Sequence, residues 1–120
     1  MYKNKLNLRN NIIGINVKRL RYSHEPYLSQ NDVAVKLQTV GYNIEKNAIS
    51  QLENGSRFGI DFEIIALANV FEVPLEELFS VKKALEFVEK NPEMFKSNKK
   101  ALFSSENLPP YIAAEFNKSN

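Results

Sequence analysis

The amino-acid sequence predicts an all-α protein. Apolar residues recur at helical spacing, no segment alternates in the manner of a strand, and helix caps and breakers stand between the apolar runs. A chain of 120 residues fits one domain with a small appendage.

Each element has its own signals. Residues 1–9 are polar and basic (Lys3, Lys5, Arg9) and are expected to form a flexible arm. A helix should begin near Asn10 or Asn11, both acceptable caps, with Ile13, Val17 and Leu20 as one buried stripe. His24-Glu25-Pro26 breaks it, since proline disfavours helix in the residue before it, and His24 reads as a surface loop residue. Ser29 caps a second helix over 29–40, and Asp32 three residues on gives a variant of the capping box. Val33, Ala34, Leu37 and Val40 supply its inner face. After the turn Gly41-Tyr42-Asn43, a third helix should run from Glu45 to Asn54 with Ala48, Ile49 and Leu52 inward. Gly55 stops it, because glycine can take the left-handed conformation that ends a helix.

Asp61 is expected to cap a fourth helix, mostly buried through Ile64, Ile65, Leu67, Ala68 and Phe71. Val73-Pro74 starts a short fifth, with Leu75, Leu78 and Phe79 packing inward. Val81 to Lys90 either continues that helix or forms a sixth, and Asn91-Pro92 ends it. Beyond lie Met94, Phe95, Leu102, Phe103, Leu108, Tyr111, Ile112 and Phe116 among polar residues. Pro109-Pro110 precedes a helix candidate from Tyr111 to Phe116.

Composition narrows the function classes. A hydrophobic content of 43% is ample for a core, so the chain is not expected to be disordered. With no cysteine and one histidine, a disulfide framework, a thiolate metal site and a cysteine nucleophile are excluded, and no metal or cofactor is expected. No apolar run approaches the roughly 20 residues of a membrane helix, and the N-terminus lacks a signal peptide's apolar core. The expected address is cytoplasmic. There is no glycine-rich phosphate loop and no serine or cysteine motif with a base, and the pair Glu76-Glu77 reads as solvated surface. The chain is not expected to be an enzyme.

The net charge of +2 is unevenly spread. Residues 1–57 carry nine Lys/Arg against four acids, a net of +5, whereas residues 58–120 carry seven Lys against ten acids, a net of −3. A basic front half suits a polyanion partner, although chance surface patterning gives the same numbers.

Helices 29–40 and 45–54, joined by a short glycine-containing turn, have the form of a helix-turn-helix. Five segments then agree with one family in order: Ile13-Gly14-Ile15-Asn16-Val17-Lys18-Arg19-Leu20-Arg21, Leu28-Ser29-Gln30 with Val33-Ala34-Val35-Lys36-Leu37, Ile49-Ser50-Gln51-Leu52-Glu53-Asn54-Gly55-Ser56-Arg57, Ile65-Ala66-Leu67-Ala68, and Val73-Pro74-Leu75-Glu76-Glu77-Leu78-Phe79. The chain resembles the lambda-repressor-like (Cro/repressor, Xre-type) DNA-binding family over about residues 10–80. It departs from that family in a longer loop from Tyr22 to Leu28, in a few inserted residues between Leu37 and Ile44, and in Glu45, where the family has a serine or threonine cap.

The resemblance implies a five-helix DNA-binding bundle over 10–80 with a C-terminal helical extension over 81–120. It implies a sequence-specific regulator of transcription, a repressor, that places helix 45–54 in the major groove of double-stranded DNA. Lys46, Asn47 and Gln51 would reach base edges. Gln30 would bond a phosphate, with Ser50 and Asn54 near the backbone and the Ser56 amide and Arg57 on a phosphate. Arg21 is a better phosphate candidate than Lys18. Arg19 and Glu53 would form a partly buried structural ion pair. The family commonly binds as a homodimer, and residues 81–120 would carry that contact, contact another protein, or cover the fourth and fifth helices within the monomer. An antitoxin that also binds DNA, and a protein-interaction module on the same fold, remain open as alternatives.

Overall fold

Helical periodicity translates directly into helices. The computed structural model describes residues 9–95 and 109–118, and all regular structure among them is helical. In order these are α1 (Ile13–Ser23), α2 (Gln30–Thr39), α3 (Lys46–Glu53), α4 (Asp61–Phe71), α5 (Leu75–Phe79), α6 (Val81–Lys90), a 3-10 turn at Pro92–Phe95, and α7 (Pro110–Lys118). Residues 1–8 of the expected arm, together with Leu102, Phe103, Leu108 and the Phe116 side chain, lie outside the described residues. Among the described residues no helix is long and apolar enough to cross a membrane.

Local chemistry sets the helix ends. The Asn11 side-chain oxygen accepts from the Gly14 N–H at 2.8 Å and satisfies a donor of the first turn of α1. Ser29 and Asp32 form a full capping box at α2, each side chain accepting from the other's N–H at 3.0 and 2.9 Å respectively. Glu45 precedes α3 and makes no side-chain cap bond, as its poor capping chemistry predicts. Gly55 closes α3 at φ +82, inside the left-handed region. Asp61 is the first residue of α4 rather than its cap, and Pro74 stands just before α5. Ser80 ends α5 and caps α6 through the Lys83 N–H, so α6 is a separate helix and not a continuation.

Two cores result. The first joins the Ile13, Val17 and Leu20 stripe of α1 to Val33, Ala34 and Leu37 of α2, Ile49 and Leu52 of α3, Leu67 and Phe71 of α4, and Leu78 of α5. The second turns the other side of α1, through Ile15, against Val81, Leu85 and Val88 of α6, Phe95 and Ile112 of α7. The described part of the C-terminal extension therefore covers α1 within the monomer, instead of the fourth and fifth helices. Its apolar residues are consumed there, although Tyr111 stays exposed.

Four inward expectations do not hold. Ile65, Leu75 and Phe79 are exposed, because the 3.6-residue repeat of α4 already fills its core face with Ile64, Leu67, Ala68 and Phe71. Helix α5 has only five residues and turns Leu78 alone fully inward. Val40 is likewise exposed, as it follows the last turn of α2.

Leu85 is buried in the second core. Leu85→Ala should cost about 2–5 kcal/mol in urea denaturation. The loss should appear as one transition by circular dichroism and by the amide signals of α1, since α1 belongs to both cores. The Asp32 carboxyl is held below its ordinary range by the backbone and hydroxyl hydrogen bonds of Ser29. Its contribution is present above the usual aspartate pKa and is lost as pH falls through the lowered folded value. Amide exchange in the first turn of α2 should accelerate over that acid range, and Asp32→Asn should remove the dependence.

Candidate functional site

Helix α3 has two unlike faces. Ile49 and Leu52 are fully buried, and the face opposite presents Lys46, Asn47 and Gln51 to solvent. The side chains of those three form no hydrogen bond or ion pair among the described residues. Ser50 is half-buried beside them. This polar face is the part of the expected site that the fold leaves available.

The rest of the expected site turns toward the protein. Arg21, expected on a phosphate, is buried and forms the ion pair expected of Arg19. Its Nε and Nη2 donate to both carboxylate oxygens of Glu53 at 2.6 and 2.8 Å, and each side chain is 4% exposed. Burial disfavours the Arg21 charge, but the hydrogen bonds and charge of Glu53 outweigh that and hold its pKa above the ordinary arginine value. The remaining Nη1 donates to the Leu28 carbonyl and the Tyr27 hydroxyl. Arg19 instead bonds Asn16 and the Glu77 carbonyl and carboxylate, and Lys83 bonds the same carboxylate. The correction follows from helix geometry: Arg21 stands four residues after Val17, on the buried stripe, while Arg19 stands two after it, on another side.

Gln30 is not on the outside of this network. Its Nε2 donates to Glu53 Oε1 at 3.1 Å, so the amide expected on a phosphate completes the shell of a buried carboxylate. Arg57 likewise bonds within the protein. Its Nε donates to the Ala48 carbonyl at 2.9 Å, and Nη1 and Nη2 grip Glu63, a carboxylate 0% exposed, while Arg57 itself is 21% exposed. An uncompensated acid in a core is costly, and Arg57 is the cation that compensates it. The Ser56 N–H, expected on a phosphate, donates to the Gln51 carbonyl and to Asn54 Oδ1, and so closes the turn after α3.

Arg9 is the residue that the sequence placed wrongly altogether. Expected in a flexible arm, it is 1% exposed and lies between the start of α1 and the end of α3. Desolvation lowers its pKa to about 10, with the charge of Glu53 opposing the shift. Its Nη2 donates to the Glu53 carbonyl at 3.0 Å and to the Leu52 carbonyl at 3.4 Å. The signal that could have found it was glycine. A Cβ on Gly14 would collide with the Leu52 carbonyl and crowd Arg9, and one on Gly55 would press on the Arg9 side chain at 2.9 Å.

These placements change the electrostatics of the front half. Among the described residues up to 57, Arg9, Arg19, Arg21 and Arg57 bond protein groups, and Lys18 lies over Phe95 with its Nζ 3.4 Å from the Met94 carbonyl. Lys36 and Lys46 alone of these cations are exposed. Glu25, Asp32 and Glu45 are exposed as well, and most of the described cations up to residue 57 are engaged within the protein. Among the described residues no cluster of side chains could hold a metal ion. No family model matches the chain, and no curated protein or solved structure matches it significantly.

The corrected pairing has a direct test. Removing one member of a fully buried pair leaves an uncompensated charge and should cost about 3–5 kcal/mol, so Arg21→Met and Glu53→Gln should each lose about that much. Arg19→Met, at a partly exposed pair, should lose clearly less. A double-mutant cycle in urea should give a coupling energy for Arg21 with Glu53 and about zero for Arg19 with Glu53.

Proposed function

We propose that the chain is a sequence-specific double-stranded-DNA-binding regulator of transcription, a repressor, that inserts α3 into the major groove. The observation that carries this reading is the exposed amide and ammonium face of α3. Lys46, Asn47 and Gln51 project from a short helix whose other face is fixed in the core. Asn and Gln amides suit the N6/N7 edge of adenine, and lysine suits the acceptors of guanine. The packing of α2 on α3 supplies the two-helix support that a helix-turn-helix needs. The five matching segments of sequence point the same way.

Of the side chains first expected near phosphates, that of Ser50 forms no hydrogen bond among the described residues. Arg21, Gln30, Ser56 and Arg57 hold the fold, and Asn54 closes the turn. Up to residue 57 the exposed described cations are Lys36 and Lys46, so binding in this reading depends on base-edge contacts more than on charge.

A protein partner is the second reading. It is favoured by exposed apolar residues at the start of α4, Ile60, Phe62 and Ile65, with Phe62 73% exposed.

Selection from random oligonucleotides with the full chain should return a preferred duplex. Gln51→Ala should weaken that duplex by about 1–3 kcal/mol and leave random duplexes unaffected. Lys46→Ala should also make the logarithmic salt dependence shallower by about 0.9 if its ammonium displaces a counterion. Absence of binding to any duplex at low salt would overturn the DNA reading in favour of the protein one.

A further inference from the structure

Helix α3 is held most densely at its last turn, although Arg57 also holds the Ala48 carbonyl in its first. Its first turn has no side-chain cap, since Glu45 makes none. Its last turn is tied to the segment before α1. Arg9 Nη2 reaches the Leu52 and Glu53 carbonyls, and Asn11 Nδ2 donates to the Leu52 and Arg57 carbonyls at 2.9 and 2.8 Å. The Asn10 N–H donates to the Gly55 carbonyl at 2.9 Å. The last carbonyls of a helix are its electronegative end, so a guanidinium beside them is matched in charge as well as in hydrogen bonding.

Arg9 itself is held in place. Its Nε donates to the Asn11 carbonyl at 3.1 Å and its Nη2 to the Asn11 side-chain oxygen at 3.2 Å. That oxygen also accepts from the Gly14 N–H, which fixes it to the first turn of α1. Gly14 and Gly55 leave the room that this side chain occupies. The side chain of Glu53 is anchored separately, by Arg21 and Gln30. One residue at the end of α3 is thus gripped twice, by Arg9 at its backbone and by Arg21 at its carboxylate.

We infer that Arg9 is a positioning residue for α3, setting the pose from which Gln51 and its neighbours read a base sequence without itself touching the nucleic acid. The inference rests on the DNA-binding reading for its consequence, though not for its mechanics. Arg9 is buried, so it makes no direct contact with a phosphate. Gln51 stands one residue before Leu52, whose carbonyl Arg9 and Asn11 hold. A helix released at that end tilts, and base contacts that demand two hydrogen bonds at once are lost before looser contacts are.

The experiment compares Arg9→Gln and Arg9→Lys with the unaltered full chain. Arg9→Lys keeps the charge and tests the latch if Arg9→Gln does not fold. Two readouts are taken: amide exchange at Asn54, Gly55 and Ser56 relative to Val88 in the second core, and affinity for the selected duplex relative to a random one. The expected result is faster exchange at 54–56 by about tenfold more than at Val88. The preference for the selected duplex should fall by about five- to hundredfold, with random-duplex affinity unchanged. Equal acceleration at 54–56 and at Val88 would overturn the inference, since Arg9 would then support the whole fold and not α3 in particular. A parallel loss on selected and random duplexes would overturn it too, by making Arg9 a general contact. If the unaltered chain binds no duplex, the DNA reading fails on its own account, and the exchange readout alone decides whether Arg9 positions α3.

Discussion

The buried pair between Arg21 and Glu53 is the constraint around which the first core is arranged. Both charges are out of water, so each must find its full set of partners inside the protein. Glu53 takes Arg21 on both oxygens and Gln30 on one, and Arg21 spends its last nitrogen on Leu28 and Tyr27. Those bonds join α1, the loop before α2, the first residue of α2 and the last residue of α3. A hydrophobic cluster alone would tolerate sliding of α3 along its groove, because dispersion has no direction. The fork of a guanidinium against a carboxylate does not tolerate it. The apolar residues supply the driving force for packing, and this pair selects one register among those that packing would allow.

The same logic explains where the positive charge of the front half goes. Arginine carries its donors in a rigid plane and stays charged when buried, so it can satisfy carbonyls at helix ends and carboxylates in a core. Arg9 takes carbonyls at the end of α3, Arg57 takes Glu63 and a carbonyl within α3, and Arg19 takes the end of α5. Each of the four arginines of this chain is used to hold one helix against another. Lysine, strongly hydrated and flexible, is left on the outside at 36 and 46. A sequence whose charge suggests a polyanion partner has thus spent much of that charge on its own architecture, and a count of basic residues overstates what a partner would meet.

The helices and the first core were legible because periodicity and capping are local properties. The stripe of Ile13, Val17 and Leu20, the capping box of Ser29 and Asp32, and the stop at Gly55 all follow from residues a few positions apart. The ionic partners were less legible, since they join residues far apart in the chain. Even so, part of the signal was there. Arg21 lies on the buried stripe four residues after Val17, and Glu63 stands four before Leu67 on the core face of α4, where an acid requires a cation. The exposed face at Lys46, Asn47 and Gln51 could be read from the helical repeat alone. What that face binds is a separate matter, which spacing does not settle. Arg9 was hidden because the polar residues around it resemble an arm, and only Gly14 and Gly55, two glycines at the same close approach, gave it away.

The two cores also bear on how the chain divides. A boundary after residue 80 would separate a five-helix unit from an extension, but the contacts do not thin out there. Asn16, fully buried in α1, donates to the Leu78 and Ser80 carbonyls at 2.8 and 3.0 Å, at the very junction of α5 and α6. Ile15 on the next face of the same helix is sealed by α6, Phe95 and α7. Removing everything after 80 would leave Ile15 bare to water and take the α6 N-terminus from the residue that caps it. Helix α1 thus supports both layers, with one side carrying the network that holds α3 and the other resting on the extension. The extension consequently belongs to the mechanical support of α3, two steps removed from it, whatever further contact the exposed Tyr111 makes.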